Sequence, residues 1–212
     1  MSGKRVSSVH PIAPMSPDAF FQWRRRLLIS AGCAVVAPAF ATPPPQSQPQ
    51  AGDVLKPLLA ERRSIWLVRG GEQLEATYWS AERGYDREQY LQLCWALRDI
   101  QANRVFPIDH GLLDVLAGLQ TWLAQSGVRA PLEIHSGYRT QSTNQKLEGA
   151  ALSSRHLVGK AADVTVPGVR NVKLAGMASV LGRGGTGFYP GRNFVHIDTG
   201  DERVWVSPPK AG

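Results

Sequence analysis

The segment Ser154-Arg155-His156-Leu157-Val158-Gly159-Lys160-Ala161-Ala162-Asp163 brings an imidazole and a carboxylate close together in the chain, and Phe194-Val195-His196-Ile197-Asp198 supplies a second imidazole further on. Imidazoles and carboxylates suit zinc, and a catalytic zinc takes three protein ligands and keeps one position for water. His156, Asp163 and His196 form a candidate set of that kind. Gly159 allows a turn between the first two, and Ala161 and Ala162 keep the approach of the backbone uncrowded. Asp163 then shares one face of a strand with Thr165, while Val164 and Val166 take the other. Asp198, two residues beyond His196, projects from the same strand face as that imidazole. There it serves either as a base or as an orienter of its neighbour.

These residues need a sheet to hold them. After Gly127 the chain breaks into short apolar segments separated by turn residues, and 132–135, 161–166, 187–189, 194–198 and 204–206 read as strands. Helical stretches are expected near 143–147 and 172–181. Upstream, the runs Ile65-Trp66-Leu67-Val68 and Ala76-Thr77-Tyr78-Trp79 flank Arg69-Gly70-Gly71-Glu72, a hairpin signal. Asp86 can cap a helix in which Tyr90, Leu93, Cys94, Leu97 and Ile100 recur at three- and four-residue steps. A second helix follows with Leu112, Leu113, Leu116, Leu119, Trp122 and Leu123. Both stripes read as core. The expected class is α+β, with helices packed on a small, mainly antiparallel sheet.

Ser154 to Asp163 matches every fixed position of S-x-H-x-x-G-x-A-x-D, and so resembles the VanX and D-Ala-D-Ala carboxypeptidase type of zinc peptidase. Ser136-Gly137-Tyr138-Arg139-Thr140 with Asn144, Gly184 to Pro190, and Phe194 to Gly200 with Trp205 are similar to the MepK branch of murein endopeptidases, over about Ser64 to Trp205. The resemblance implies a hedgehog/D-Ala-D-Ala peptidase-like fold and zinc held by His156, Asp163 and His196. It also implies a peptidoglycan substrate and hydrolysis of peptide bonds in stem peptides or cross-links. It places Arg139 in the cleft, where a guanidinium stabilises a developing oxyanion or grips a substrate carboxylate. One position departs from the pattern: Asn193 stands three residues before the last His, where many relatives have Glu or Asp. Asp198 is the acid offered instead. The alternatives are a D-Ala-D-Ala carboxypeptidase or dipeptidase and, in another class, a wall-binding module that keeps zinc without turnover.

The front of the chain points to export. Arg24-Arg25-Arg26 directly precedes an apolar run from Leu27 to Phe40 that is interrupted by Gly32 and Pro38 and is too short for a stable membrane span. Ala39-Phe40-Ala41 suits a signal peptidase. Residues 1–41 therefore read as a signal peptide, resembling the twin-arginine type, and the mature protein is expected in the periplasm. The Pro- and Gln-rich 42–54 reads as a linker and 55–212 as the zinc peptidase domain. With Cys33 inside the leader, Cys94 is left alone and no intrachain disulfide can form. The formal charge of +7 raises nucleic acid as a partner, but five of the 24 basic residues and only one of the 17 acidic ones precede Thr42. The remainder is nearly balanced, which argues against nucleic-acid binding.

Overall fold

The computed structural model describes residues 51–147 and 149–207, so the leader expected over 1–41 and the linker up to residue 50 lie outside the described residues. The first element, α1 (Ala51–Leu58), takes up the end of the stretch expected as linker. Leu55 and Leu59 explain why, since both are buried in the core.

The hairpin forms as expected, from β1 (Arg62–Arg69) and β2 (Glu72–Ser80), with the short β3 (Gly84–Tyr85) added to its outer edge. Asp86 caps α2 (Arg87–Ala96), its carboxylate accepting from the Gln89 amide at 3.1 Å. Leu93, Cys94 and Leu97 are buried as the stripe requires. Ile100 is not: the helix stops at Leu97, whose carbonyl accepts the Tyr138 amide, and Ile100 lies on the surface. Asp109 caps α3 (His110–Gln125), which is buried along most of its length. Its one buried acid, Asp114, is offset by Arg63 at 3.1 Å and the Tyr78 hydroxyl at 2.8 Å.

The second half follows with β4 (Leu132–Ser136), α4 (Gln141–Gln145), a 3₁₀ turn (Arg155–Val158), β5 (Ala161–Thr165), α5 (Asn171–Leu181), β6 (Gly185–Tyr189), β7 (Phe194–Asp198) and β8 (Arg203–Val206). All eight strands join one sheet, in the order β3-β2-β1-β4-β5-β7-β6-β8. The class is α+β as expected, but the eight-stranded sheet is not small and is mixed rather than mainly antiparallel: β1 pairs with β4, and β6 with β8, in parallel. The first parallel pair arises because two helices intervene between the hairpin and β4, and the second because β8 passes over β7 to the far side of β6.

Period-two alternation then separates two faces. Ile134, Ala162, Val164, Val195 and Ile197 point into the core shared with α1, α3 and α5. Asp163, His196 and Asp198 point the other way. No helix of the described residues is long and apolar enough to cross a membrane.

Candidate active site

Asp163 and His196 are direct cross-strand partners on β5 and β7, so one pairing register fixes two of the three candidate ligands. The third arrives from the 3₁₀ turn. Ser154 caps that turn by accepting the His156 amide, and Gly159 ends it at φ 65°, where an added Cβ would also lie 2.4 Å from the Pro107 carbonyl oxygen. The chain is thereby returned into β5 with His156 beside Asp163. His156 Nε2 lies 3.3 Å from Asp163 Oδ1 and 3.3 Å from His196 Nδ1, and His196 Nδ1 lies 2.9 Å from the same carboxylate oxygen. The edges of a tetrahedron built from zinc–ligand bonds of about 2.0–2.1 Å are about 3.3 Å long, close to this triangle.

The outer atoms decide which nitrogens face inward. His156 Nδ1 lies 2.7 Å from the Gly137 carbonyl, which can only accept, so Nδ1 carries the proton and Nε2 presents a lone pair. His196 Nε2 lies 2.9 Å from Asp198 Oδ2 and donates to it, so that in the neutral imidazole Nδ1 is the nitrogen left to offer a lone pair beside Asp163. With both imidazoles in these neutral tautomers, three lone-pair acceptors converge, a ligand set that fits a divalent cation. Burial lowers the His156 pKa. Burial alone would raise the Asp163 carboxyl, but the two imidazoles hold it well below the usual range. His196 moves the other way: burial opposes its charge, yet its contacts with Asp163 and Asp198 raise it. The pocket favours positive charge at its centre.

Asp198 sits on the far nitrogen of His196 from the ligand triangle. Its Oδ1 accepts from the amides of Gly185 and Gly200, and Arg203 donates to both of its oxygens, the nearer contact being 2.7 Å. Arg139 reaches the site from the loop after β4, donating through Nε to Ser136 Oγ at 2.7 Å and through a terminal nitrogen to Asp163 Oδ2. It lines the cleft and at the same time grips the carboxylate. Asn193 adopts φ 52° in the β6–β7 turn, accepts from Asn171 and is not among the residues lining the cleft. Tyr138 stacks on Phe106 as a packing residue, and His135 bonds Thr165.

The cleft over this site has a volume of about 1080 Å³. One wall is aromatic: Tyr189 lies 5.0 Å from Phe194, and Trp205 donates to the Tyr189 hydroxyl at 3.0 Å. Sequence reasoning did not single out Arg203, the Gly137 carbonyl or Ser136 as site groups. The first belongs to a strand whose neighbour is set by a parallel crossover, and the other two lay inside a quoted motif without a role.

A family profile described as Peptidase_M15_2, peptidoglycan L,D-endopeptidase MepK, matches residues 60–205. The chain belongs to this family. The MepK protein of Escherichia coli (strain K12), a peptidoglycan L,D-endopeptidase, is 36% identical over 197 residues that cover 89% of this chain and 100% of the relative. A probable peptidoglycan L,D-endopeptidase MepK of Haemophilus influenzae is 36% identical over 143 residues, 65% of this chain and 75% of that protein. The zinc D-Ala-D-Ala carboxypeptidase of Streptomyces albus G is 34% identical over 85 residues, 37% of this chain and 31% of that enzyme. Membership of the M15_2 family makes the chain a peptidase of the zinc metallopeptidase class.

Proposed function

We propose that this chain is an exported zinc-dependent endopeptidase that hydrolyses peptide bonds in peptidoglycan stem peptides or cross-links. The convergence of His156 Nε2, Asp163 Oδ1 and His196 Nδ1 on the floor of an open cleft carries the reading. The relatives from Escherichia coli and Haemophilus influenzae support the wall as substrate. The arginine-led leader and the Pro- and Gln-rich tract after it would bring the enzyme to the periplasm and let it reach a mesh.

His156, Asp163 and His196 would hold the zinc. When bound, zinc supplies Lewis acidity that polarises an amide carbonyl and makes water acidic enough to attack near neutral pH. The chain's own groups supply orientation. The Gly137 carbonyl and Asp198 lock the two imidazoles in the tautomers that point lone pairs inward. Asp198 is a positioning residue rather than a base, because both of its oxygens are taken up by donors. Arg139 holds Asp163 Oδ2 so that Oδ1 faces the imidazoles, and its place in the cleft suits it to stabilise negative charge developing on the scissile amide oxygen.

Mass spectrometry of purified muropeptides digested with metal-replete and chelated protein tests this directly. Cross-linked dimers split only by the metal-replete protein are expected, and His156→Ala loses metal and hydrolysis together. Release of free D-Ala would instead favour a carboxypeptidase, the reading that the Streptomyces albus relative supports. Hydrolysis at full rate by chelated protein or by His156→Ala would sink the proposal.

A further inference from the structure

Among the described residues, four arginines, Arg139, Arg155, Arg192 and Arg203, line the cleft, against the acids Asp163 and Asp201. Two of the four are engaged inside the site, Arg139 on Asp163 and Arg203 on Asp198. Arg155 is placed differently. It directly precedes the ligand His156 on the 3₁₀ turn, so its position is tied to that of the candidate centre. Its side chain retains 40% of its exposure, and its ion-pair partner is Asp201 at 4.0 Å, an acid 99% exposed. A pair so long and so wet contributes little and is easily exchanged for another carboxylate. The guanidinium also has a built resting place: at Gly200 an added Cβ would lie 2.7 Å from Arg155 Nε and 3.0 Å from a terminal nitrogen, so any larger residue would displace it. Gly200 in turn donates its amide to Asp198, which ties the bed of Arg155 to the residue that orients His196.

Resting on the peptidase reading above, we propose that Arg155 is a specificity residue that binds a free carboxylate of the substrate next to the scissile bond. The preferred substrate is therefore an anionic peptide. Binding exchanges Asp201 for the substrate carboxylate, and the planar guanidinium can present two parallel donors to it. The carboxylate can come from an acidic side chain or from a chain terminus, and both present the same two oxygens to the fork.

Synthetic stem peptides distinguish these sources. Binding to zinc-loaded full-length protein is measured for a peptide with both carboxylates free, for one amidated at the acidic side chain, and for one amidated at the terminus. The wild type is expected to bind the free peptide about tenfold more tightly than the one whose relevant carboxylate is amidated, since a charge-assisted bond is lost. In Arg155→Gln that ratio collapses toward one while zinc stoichiometry stays at the wild-type value, and Arg155→Lys restores part of it. Equal wild-type affinity for acid and amide forms would overturn the proposal. So would a preference for the acid that survives in Arg155→Gln, which would mean that the metal or Arg139 holds the carboxylate. If the wild type discriminates through Arg155 but cleaves neither these peptides nor cross-linked muropeptide dimers, the carboxylate site stands and the endopeptidase reading fails.

Discussion

Each imidazole of the site has two nitrogens with two jobs, and the outer job governs the inner one. In His196 the division depends on Asp198, itself held by Arg203 and two backbone amides. Asp198→Asn keeps the shape but weakens this hold on the tautomer, so zinc affinity is expected to fall about 10–100-fold while the fold survives. Competition with a chromogenic chelator measures the loss, and unchanged affinity would remove the positioning role. Arg139→Lys should also fail to restore activity, because one ammonium cannot reproduce the separate donors to Ser136 and Asp163. The three candidate ligands were legible in the sequence because they lie in short, fixed-spacing segments. The role of Asp198 was legible only as a choice between base and orienter, because two-residue spacing gives the strand face but not which nitrogen it meets. The grip of Arg139 on Asp163 depends on the pairing of β4 with β5, which no local pattern encodes.

At the scale of elements, the loop 136–140 links the end of α2 to the site. It carries both the Gly137 carbonyl that fixes His156 and the Arg139 that grips Asp163. The end of α2 holds this loop from behind: Leu97 accepts the Tyr138 amide, and Asp99 accepts the amide and hydroxyl of Thr140 at 2.8 and 2.9 Å. Gly137 is pressed so closely that a Cβ would lie 2.4 Å from the Leu97 carbonyl oxygen. Gly137→Ala is therefore expected to lower metal affinity and stability together. Burial alone would raise the Asp99 carboxyl, but its hydrogen bonds with Thr143, Thr140 and Ala102 lower it to about 2. A group depressed in the folded state contributes stability that is full above its unfolded value near 4 and is lost as pH falls toward 2. For Asp99 this is on the order of 2 kcal/mol. Acid titration of unfolding should therefore be shallower between pH 4 and 2 in Asp99→Asn than in the wild type, and parallel curves would refute the assignment. The sequence pattern located α2 and its cap but ran the stripe on to Ile100. Apolar spacing continues past Leu97, whereas the backbone there has already turned to bond the loop.

Across the whole molecule, the sheet ties two polar clusters to one core. One is the candidate metal site on β5 and β7, and the other is the Arg63–Tyr78–Asp114 network that joins the hairpin to α3. Three strand spacings separate β2 from β5, roughly 15 Å, beyond the range over which substitutions usually couple. Metal that binds only the folded state at a hundredfold excess over its Kd stabilises by about 2.7 kcal/mol, so chelation is expected to lower Tm by about 5–10 °C. Tyr78→Phe deletes the hydroxyl that donates to buried Asp114 and should cost about 1–2 kcal/mol without touching the ligands. If the two clusters stabilise the same cooperative unit independently, the chelation shift in Tyr78→Phe equals that of the wild type and zinc affinity is unaltered. A chelation shift that shrinks in Tyr78→Phe, with zinc affinity falling alongside it, would mean that the hairpin and the metal site are energetically coupled through the sheet. The continuous eight-stranded arrangement would then transmit strain between its ends rather than serve as a rigid platform for the cleft.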